Sequence, residues 1–112
     1  MNREIKFRFY RPSTNKMIYP TIGNFNDLIE SEDWKVMQFT GLKDKNGKEI
    51  YEGDVVIPFS LENKMNKSVV VYEFNQFRIK GTSLYWNFDL EQIEVIGNIF
   101  ENPELVVSDA VY

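Results

Sequence analysis

The stretch that decides the fold runs from Gln38 to Val56 and reads QFTGLKDKNGKEIYEGDVV. It contains three glycines spaced six residues apart, Gly41, Gly47 and Gly53, each close to polar turn-forming residues. Glycine reaches positive φ without steric cost, so each position predicts a change of chain direction. The stretch therefore predicts a bend, a hairpin tip and a second bend.

The hairpin tip has the clearest local signal. Asp44 places a side-chain acceptor at the first turn position, and Asn46-Gly47 follows where left-handed backbone is needed. A tight reversal here pairs a strand that ends at Lys43 with a strand that starts at Lys48.

The second bend, Glu52-Gly53-Asp54, precedes an apolar strand over residues 55–57. We expect the Asp54 carboxylate to accept backbone N–H groups within this turn. Pro58 ends the strand or marks it as an edge, because proline cannot donate to a ladder.

The rest of the chain predicts more short strands and little helix. In residues 3–10, Ile5, Phe7 and Phe9 alternate with polar residues, which is the period of a half-buried strand. The expectations up to the mid-chain loop are a return strand over 16–19, one or two helical turns over 24–33, a strand over 34–39 and a mobile loop over 60–67. Those after it are a hairpin of 69–74 and 77–80 turning at Asn75-Gln76, another strand or a covering segment over 84–88, a strand over 93–100 and a capped helical turn over 102–105. Gly97 lies in the middle of the last strand and predicts a bend or a close backbone approach.

Short strands about ten residues apart with glycine-marked turns predict an all-β fold with minor helical turns. We favour a small, partly open β-barrel of the Src homology 3 type, with the N-terminal β-hairpin packed on it or extending from it. A chain of 112 residues fits one domain, so we expect residues 1–112 to form a single unit.

The central stretch resembles the signature of the YopX family, small proteins of unknown function encoded largely by bacteriophages and prophages. The resemblance extends to three other segments, residues 3–8, 16–19 and 93–105, the last of which reads IEVIGNIFENPEL. The resemblance implies a phage or prophage protein. The family has no established activity that could be assigned to any residue of this chain.

Composition excludes several kinds of site. The chain has no cysteine and no histidine, which removes disulfides, thiolate catalysis, Ser-His systems and the commonest metal ligands. The start Asp44-x-Asn46-Gly47 lacks the later ligands of a calcium loop. We expect no cofactor and no metal, and, with neither a signal peptide nor a membrane span in the sequence, a protein of the bacterial host cytoplasm.

Three carboxylates of the central stretch, Glu49, Glu52 and Asp54, are the only candidates for acid and base chemistry that we weigh. Their spacing is unspecific, and a turn role accounts for Asp54. We therefore expect that the protein is not an enzyme.

The N-terminal strand carries Lys6, Arg8, Tyr10 and Arg11 on or near one face, while nothing after Lys80 is basic. Solvated side chains are the ordinary interpretation of such a strip. Two functional alternatives are a small nucleic-acid-binding barrel, which the net charge of −4 disfavours, and contact with the acidic C-terminal part of another copy.

Aromatic residues make up 15% of the chain, more than a small core holds with every ring inside. Tyr and Trp edges at the surface are one interpretation, and a contact surface formed by Tyr10, Tyr85, Trp86 and Phe100 is the other. The function that we prefer is a non-enzymatic protein-binding or self-assembling module, with a second copy or a phage or host protein as partner and no membrane.

Overall fold

The computed structural model describes residues 4–20, 31–58, 67–81 and 85–106. These residues form nine strands and one short 3-10 helix, which confirms the all-β prediction with minor helical turns. The strands are β1 (Phe7–Arg11), β2 (Lys16–Ile18), β3 (Lys35–Lys43), β4 (Glu49–Tyr51), β5 (Asp54–Ile57), β6 (Ser68–Glu73), β7 (Gln76–Lys80), β8 (Tyr85–Trp86) and β9 (Glu94–Asn98), and the 3-10 helix is Pro103–Val106.

The strands form two antiparallel sheets, one of them curled into a half-barrel. The four-stranded sheet has the order β2-β1-β3-β4, and the five-stranded sheet has the order β8-β7-β6-β5-β9. The N-terminal hairpin β1–β2 is therefore one half of the first sheet, and β1 lies between β2 and β3. Along the chain, the first sheet (β1–β4) ends and the second sheet (β5–β9) begins at the bend between β4 and β5.

The central stretch forms β3, the tip, β4, the second bend and β5. Lys43 pairs with Glu49 across the tip, and the β3–β4 register shifts between Phe39 and Lys43, around Gly41. Gly47 and Gly53 have φ values of 81° and 87°, in the left-handed region that glycine adopts most easily.

The carboxylate of Asp44 connects the hairpin tip to the second sheet through hydrogen bonds. Its Oδ1 accepts the backbone N–H groups of Asn46 at 2.8 Å and Lys48 at 2.9 Å, and its Oδ2 accepts that of Val95 in β9 at 2.9 Å. Burial opposes ionisation of Asp44, but these three donors hold the pKa of its carboxyl below the ordinary value.

The apolar core draws on both sheets. Ile50 comes from β4 of the first sheet, and the remaining members come from the second sheet or the residue just before β9: Val56, Val70, Ile79, Ile93 and Val95. Removal of these side chains from water supplies the main favourable term for joining the sheets.

Gly97 lies in β9 where the chain packs against its own C-terminal turn. A Cβ at this position would lie 2.6 Å from Asn102 Oδ1 and 2.7 Å from Leu105 Cδ1. The absence of a side chain allows the 3-10 helix to approach the strand.

Some expectations concern residues that the structure does not describe. Residues 24–30 of the predicted helical turns over 24–33, and residues 60–66 of the predicted loop over 60–67, lie outside the described residues. Within the described ranges, the structure contains no helix that is long and apolar enough to cross a bilayer.

Candidate functional site

The predicted N-terminal strip does not form an exposed face, because Arg8 and Tyr10 are buried. Arg8 is 4% exposed, and its Nη2 lies 2.7 Å from Asp54 Oδ1. Its guanidinium also lies over the Tyr51 ring, 4.6 Å from the centroid. The prediction of an exposed Arg8 is wrong because β1 is an interior strand with both faces covered.

The other two cations of the strip have partners within the chain. Lys6 forms an ion pair with Glu49 and lies 3.5 Å from Glu4. Arg11 Nη2 lies 3.9 Å from Asp33 Oδ2. The cations of the strip are therefore paired with acids of the same chain, which leaves little positive charge to bind phosphates or the acidic residues of another copy.

Two of the predicted contact aromatics pack on each other. The rings of Tyr10 and Phe100 are stacked with centroids 5.1 Å apart, and Tyr10 is only 6% exposed. The Tyr10 hydroxyl donates to Asn15 Oδ1 at 2.6 Å. This pair joins β1 to the turn that follows β9.

The three candidate carboxylates serve separate structural roles. Glu49 pairs with Lys6, and Glu52 Oε1 accepts the Gln38 N–H at 3.3 Å. Asp54 is buried beside Arg8, and its Oδ2 accepts the Tyr51 N–H at 2.7 Å. Burial raises the pKa of Asp54, although Arg8 and this N–H oppose the rise.

Two exposed aromatic side chains, Phe74 and Tyr85, lie instead at the β6–β7 turn and the strand beside it. We define the hairpin face as Glu73, Phe74, Arg78, Lys80 and Tyr85. The Arg78 guanidinium lies 3.7 Å from the centroid of the Tyr85 ring and 5.1 Å from that of Phe74. Cation–π contacts of this kind hold a guanidinium and two rings as one unit.

A carboxylate completes the hairpin face. Glu73 Oε1 accepts the Tyr85 hydroxyl at 2.7 Å, and Glu73 Oε2 lies 3.4 Å from Lys80 Nζ. The hydrogen bond from Tyr85 lowers the pKa of Glu73, and the same bond raises the pKa of Tyr85. The face thus carries one negative and two positive groups beside two aromatic rings.

Phe74 occupies the turn itself, in an unfavourable conformation. It has a φ of 55°, Asn75 has a φ of 62°, and Phe74 is 76% exposed. Positive φ at two consecutive residues is the geometry of a type I′ turn, which favours Asn and Gly and disfavours bulky side chains. The sequence pattern placed this turn at Asn75-Gln76, one residue too late, because it assigned Phe74 to the strand.

Of the predicted contact residues, Tyr85 belongs to the hairpin face, and the side chain of Trp86 lies outside what the structure describes. The pattern missed Glu73, Phe74 and Arg78. The sequence does contain a signal for this turn, because an aromatic residue directly precedes an Asn between two strand-forming segments.

Comparisons with known proteins agree with this fold. The family model described as YopX protein matches residues 21–107. The crystal structure of protein EF1440 from Enterococcus faecalis is similar, with 24% sequence identity and a TM-score of 0.69 over 93% of this chain and 99% of that one. No curated protein matches the chain.

Proposed function

This chain belongs to the YopX family, and from that premise we propose that it is a non-enzymatic protein-binding module that self-associates through the hairpin face. Such a module acts in the bacterial cytoplasm as a phage or prophage product, in keeping with the family resemblance.

The observation that carries the proposal is the exposure of Phe74 in a left-handed conformation. A bulky residue with positive φ costs of order 1–3 kcal/mol, and its exposed ring gains little from burial within the chain. Asn or Gly at the same position avoids the conformational cost. The cost is offset when the ring becomes buried against another protein surface.

The composition of the hairpin face favours a second copy as the partner. Arg and Tyr are enriched at the energetic centres of protein interfaces. In a two-fold symmetric contact each surface meets itself, so Glu73 of one copy is able to approach Arg78 or Lys80 of the other. Mixed charges around aromatic rings make this face self-complementary.

The sequence and the site support a role without chemistry. The chain lacks Cys and His, and the carboxylates Glu49, Glu52 and Asp54 each have a structural partner. Nucleic-acid binding through the N-terminal strip has less support, because Lys6, Arg8 and Arg11 are paired with acids.

Sedimentation velocity over a range of protein concentrations tests the proposal. The wild-type protein should form dimers within a concentration range up to about 1 mM, and Phe74→Asn should weaken the association about tenfold or more. Because asparagine favours the left-handed conformation, this variant should retain its thermal stability.

Ile5→Asn is the matched control, because Ile5 is 66% exposed and lies just before β1 in the other sheet. It should leave association unchanged. A wild-type protein that remains monomeric throughout, or a Phe74→Asn variant that associates normally, would refute the proposal.

A further inference from the structure

The bend between β4 and β5 separates the edges of two strands. The Glu52 N–H donates to the Gln38 carbonyl of β3 at 2.9 Å, and the Gly53 N–H donates to the Val70 carbonyl of β6 at 2.7 Å. A single backbone segment is thus hydrogen-bonded to both edges. Since hydrogen-bonded backbones lie about 4.8 Å apart, the edges are separated here by about two such spacings, which is the width of one inserted strand.

Beyond the bend the space between the two edges continues as a slot. Its volume is about 250 Å³, and its lining comes from β3, the bend, β6 and the turn after β9. Most of the lining is apolar, with Val36 from β3, Val70 and Tyr72 from β6, and Ile99 and Phe100 from the turn after β9. Val36 is 42% exposed and Tyr72 is 50% exposed, so both walls are open to solvent.

The β3 wall presents backbone groups that its ladder does not use. The Phe39 N–H donates to the Lys6 carbonyl, so the odd-numbered residues of β3 bond towards β1. Val36 lies at the alternate position and directs its N–H and C=O away from β1. Among the described residues, the β3–β4 pairing begins at Phe39 and provides no strand opposite Val36.

The β6 wall has the same property. Val70 bonds towards the bend, so Tyr72, two residues later, directs its N–H and C=O to the same side. The described pairing of β5 with β6 involves Ser68 and Val69 and does not extend to Tyr72. Within the part of the chain that the structure describes, neither edge has a strand partner where it faces the slot.

The slot also carries negative charge. Its lining includes Glu52, and it contains no Lys or Arg among the described residues. Glu73 also borders the slot, but its carboxylate is directed to Tyr85 and Lys80. Of the two Glu52 oxygens, Oε1 accepts the Gln38 N–H. A cationic side chain at the mouth of the slot would therefore meet complementary charge.

We infer that the slot binds an extended, basic segment of a partner protein, which adds as a strand between β3 and β6. The backbone of the segment pairs with Val36 and Tyr72, its apolar side chains contact Ile99 and Phe100, and a cation approaches Glu52. Strand addition of this kind takes affinity from main-chain hydrogen bonds and specificity from alternate side chains. The inference deepens the proposed protein-binding function and assigns it a second site.

Titration with short synthetic peptides tests the inference. The first is an acetylated, amidated peptide in which valine and lysine alternate, and its matched control has glutamate in place of lysine. We expect the lysine peptide to bind with a Kd below about 1 mM and the glutamate peptide to bind at least about tenfold more weakly. In an amide NMR spectrum, the lysine peptide should shift the signals of Val36 and Tyr72.

Backbone pairing is tested by two further changes. A lysine peptide with N-methylated backbone should lose binding, because it cannot donate to either wall. Val36→Pro should do the same, and since the Val36 N–H faces the slot and not β1, this variant should keep its fold. If Val36→Pro does not fold, the N-methylated peptide decides the point.

Glu52→Gln keeps an acceptor for the Gln38 N–H and removes the charge, so it should weaken binding of the lysine peptide about tenfold. The inference is overturned if the lysine peptide fails to bind at about 1 mM, or if the N-methylated peptide binds equally well. It is also overturned if the shifted signals lie away from the slot. Phe74→Asn should leave peptide binding intact. A wild-type protein that binds the lysine peptide but does not self-associate refutes only the hairpin-face proposal, and one that self-associates but does not bind the peptide refutes only the slot.

Discussion

The guanidinium of Arg8 and the carboxylate of Asp54 form an ion pair in the interior, with Nη2 2.7 Å from Oδ1. The residues are 46 positions apart, and they belong to β1 of the first sheet and β5 of the second. The pair therefore joins the two sheets. The alternation in β1 predicts Arg8 at the surface, but the side chain is buried and contributes to the contact between the sheets.

Arg8→Ala should destabilise the protein by about 3–5 kcal/mol, because it leaves the Asp54 carboxylate buried without its counter-ion. Urea unfolding at neutral pH measures this cost. Lys16→Ala, at an exposed residue of β2, is the control and should change stability by less than about 0.5 kcal/mol. A cost for Arg8→Ala as small as that of the control would show that Arg8 is solvated.

Asp44→Ala should cost about 2–4 kcal/mol, since it removes the acceptor of the Asn46, Lys48 and Val95 N–H groups. Urea unfolding checks the value, and Asp33→Ala on the surface should be nearly neutral. Hydrogen exchange of the Val95 amide should also accelerate. An unchanged exchange rate would contradict the contact between the hairpin tip and β9.

Stability should fall as the pH rises from about 10 to about 12 because of Tyr51. Burial raises the pKa of Tyr51 to about 12, and nearby Glu49 and Tyr19 act in the same direction while Lys6 and Arg8 oppose them. The unfolded chain ionises first, near pH 10.0, so the folded state loses relative stability until Tyr51 itself ionises. Unfolding at several pH values should show this slope, and Tyr51→Phe should reduce it. An equal slope in both proteins would argue against the buried hydroxyl.

Gly97→Ala should destabilise the fold by about 1–3 kcal/mol, because the new methyl group would overlap Asn102 Oδ1 and Leu105 Cδ1. Asn102 has little freedom to move, since its Oδ1 accepts the Asn98 N–H. Gly47→Asn is the comparison, at an open turn position whose φ asparagine tolerates, and it should cost less than about 1 kcal/mol. Thermal melting distinguishes the two, and equal costs would contradict the close approach at Gly97.

The sequence predicted the central stretch well because its information is local. Gly47 and Gly53 require positive φ, and Asp44 binds N–H groups within four residues of itself, so neighbouring residues specify these turns. The N-terminal hairpin was predicted for the same reason, through its alternation and its turn at residues 12–15.

The burial of Arg8 and Tyr10 was not predictable from alternation. A period of two residues identifies two faces of a strand, and it does not say whether one or both are covered. In β1 both are covered, and the partner of Arg8 is distant in sequence.

The candidate sites depend on register and on long-range contacts. A shift of one residue in the β6–β7 pairing moves Phe74 from a strand into the turn, and neither run of residues specifies that register. The slot arises where the edges of β3 and β6 diverge around Gly53, a relationship that no single stretch contains.

The most direct test of the central claim is a concentration series of amide NMR spectra, from about 10 μM to about 1 mM. The account predicts that signals of Phe74, Arg78 and Tyr85 shift or broaden as the concentration rises, and that Phe74→Asn removes these changes. Spectra that superimpose over the whole range, or changes confined to the first sheet, would contradict it.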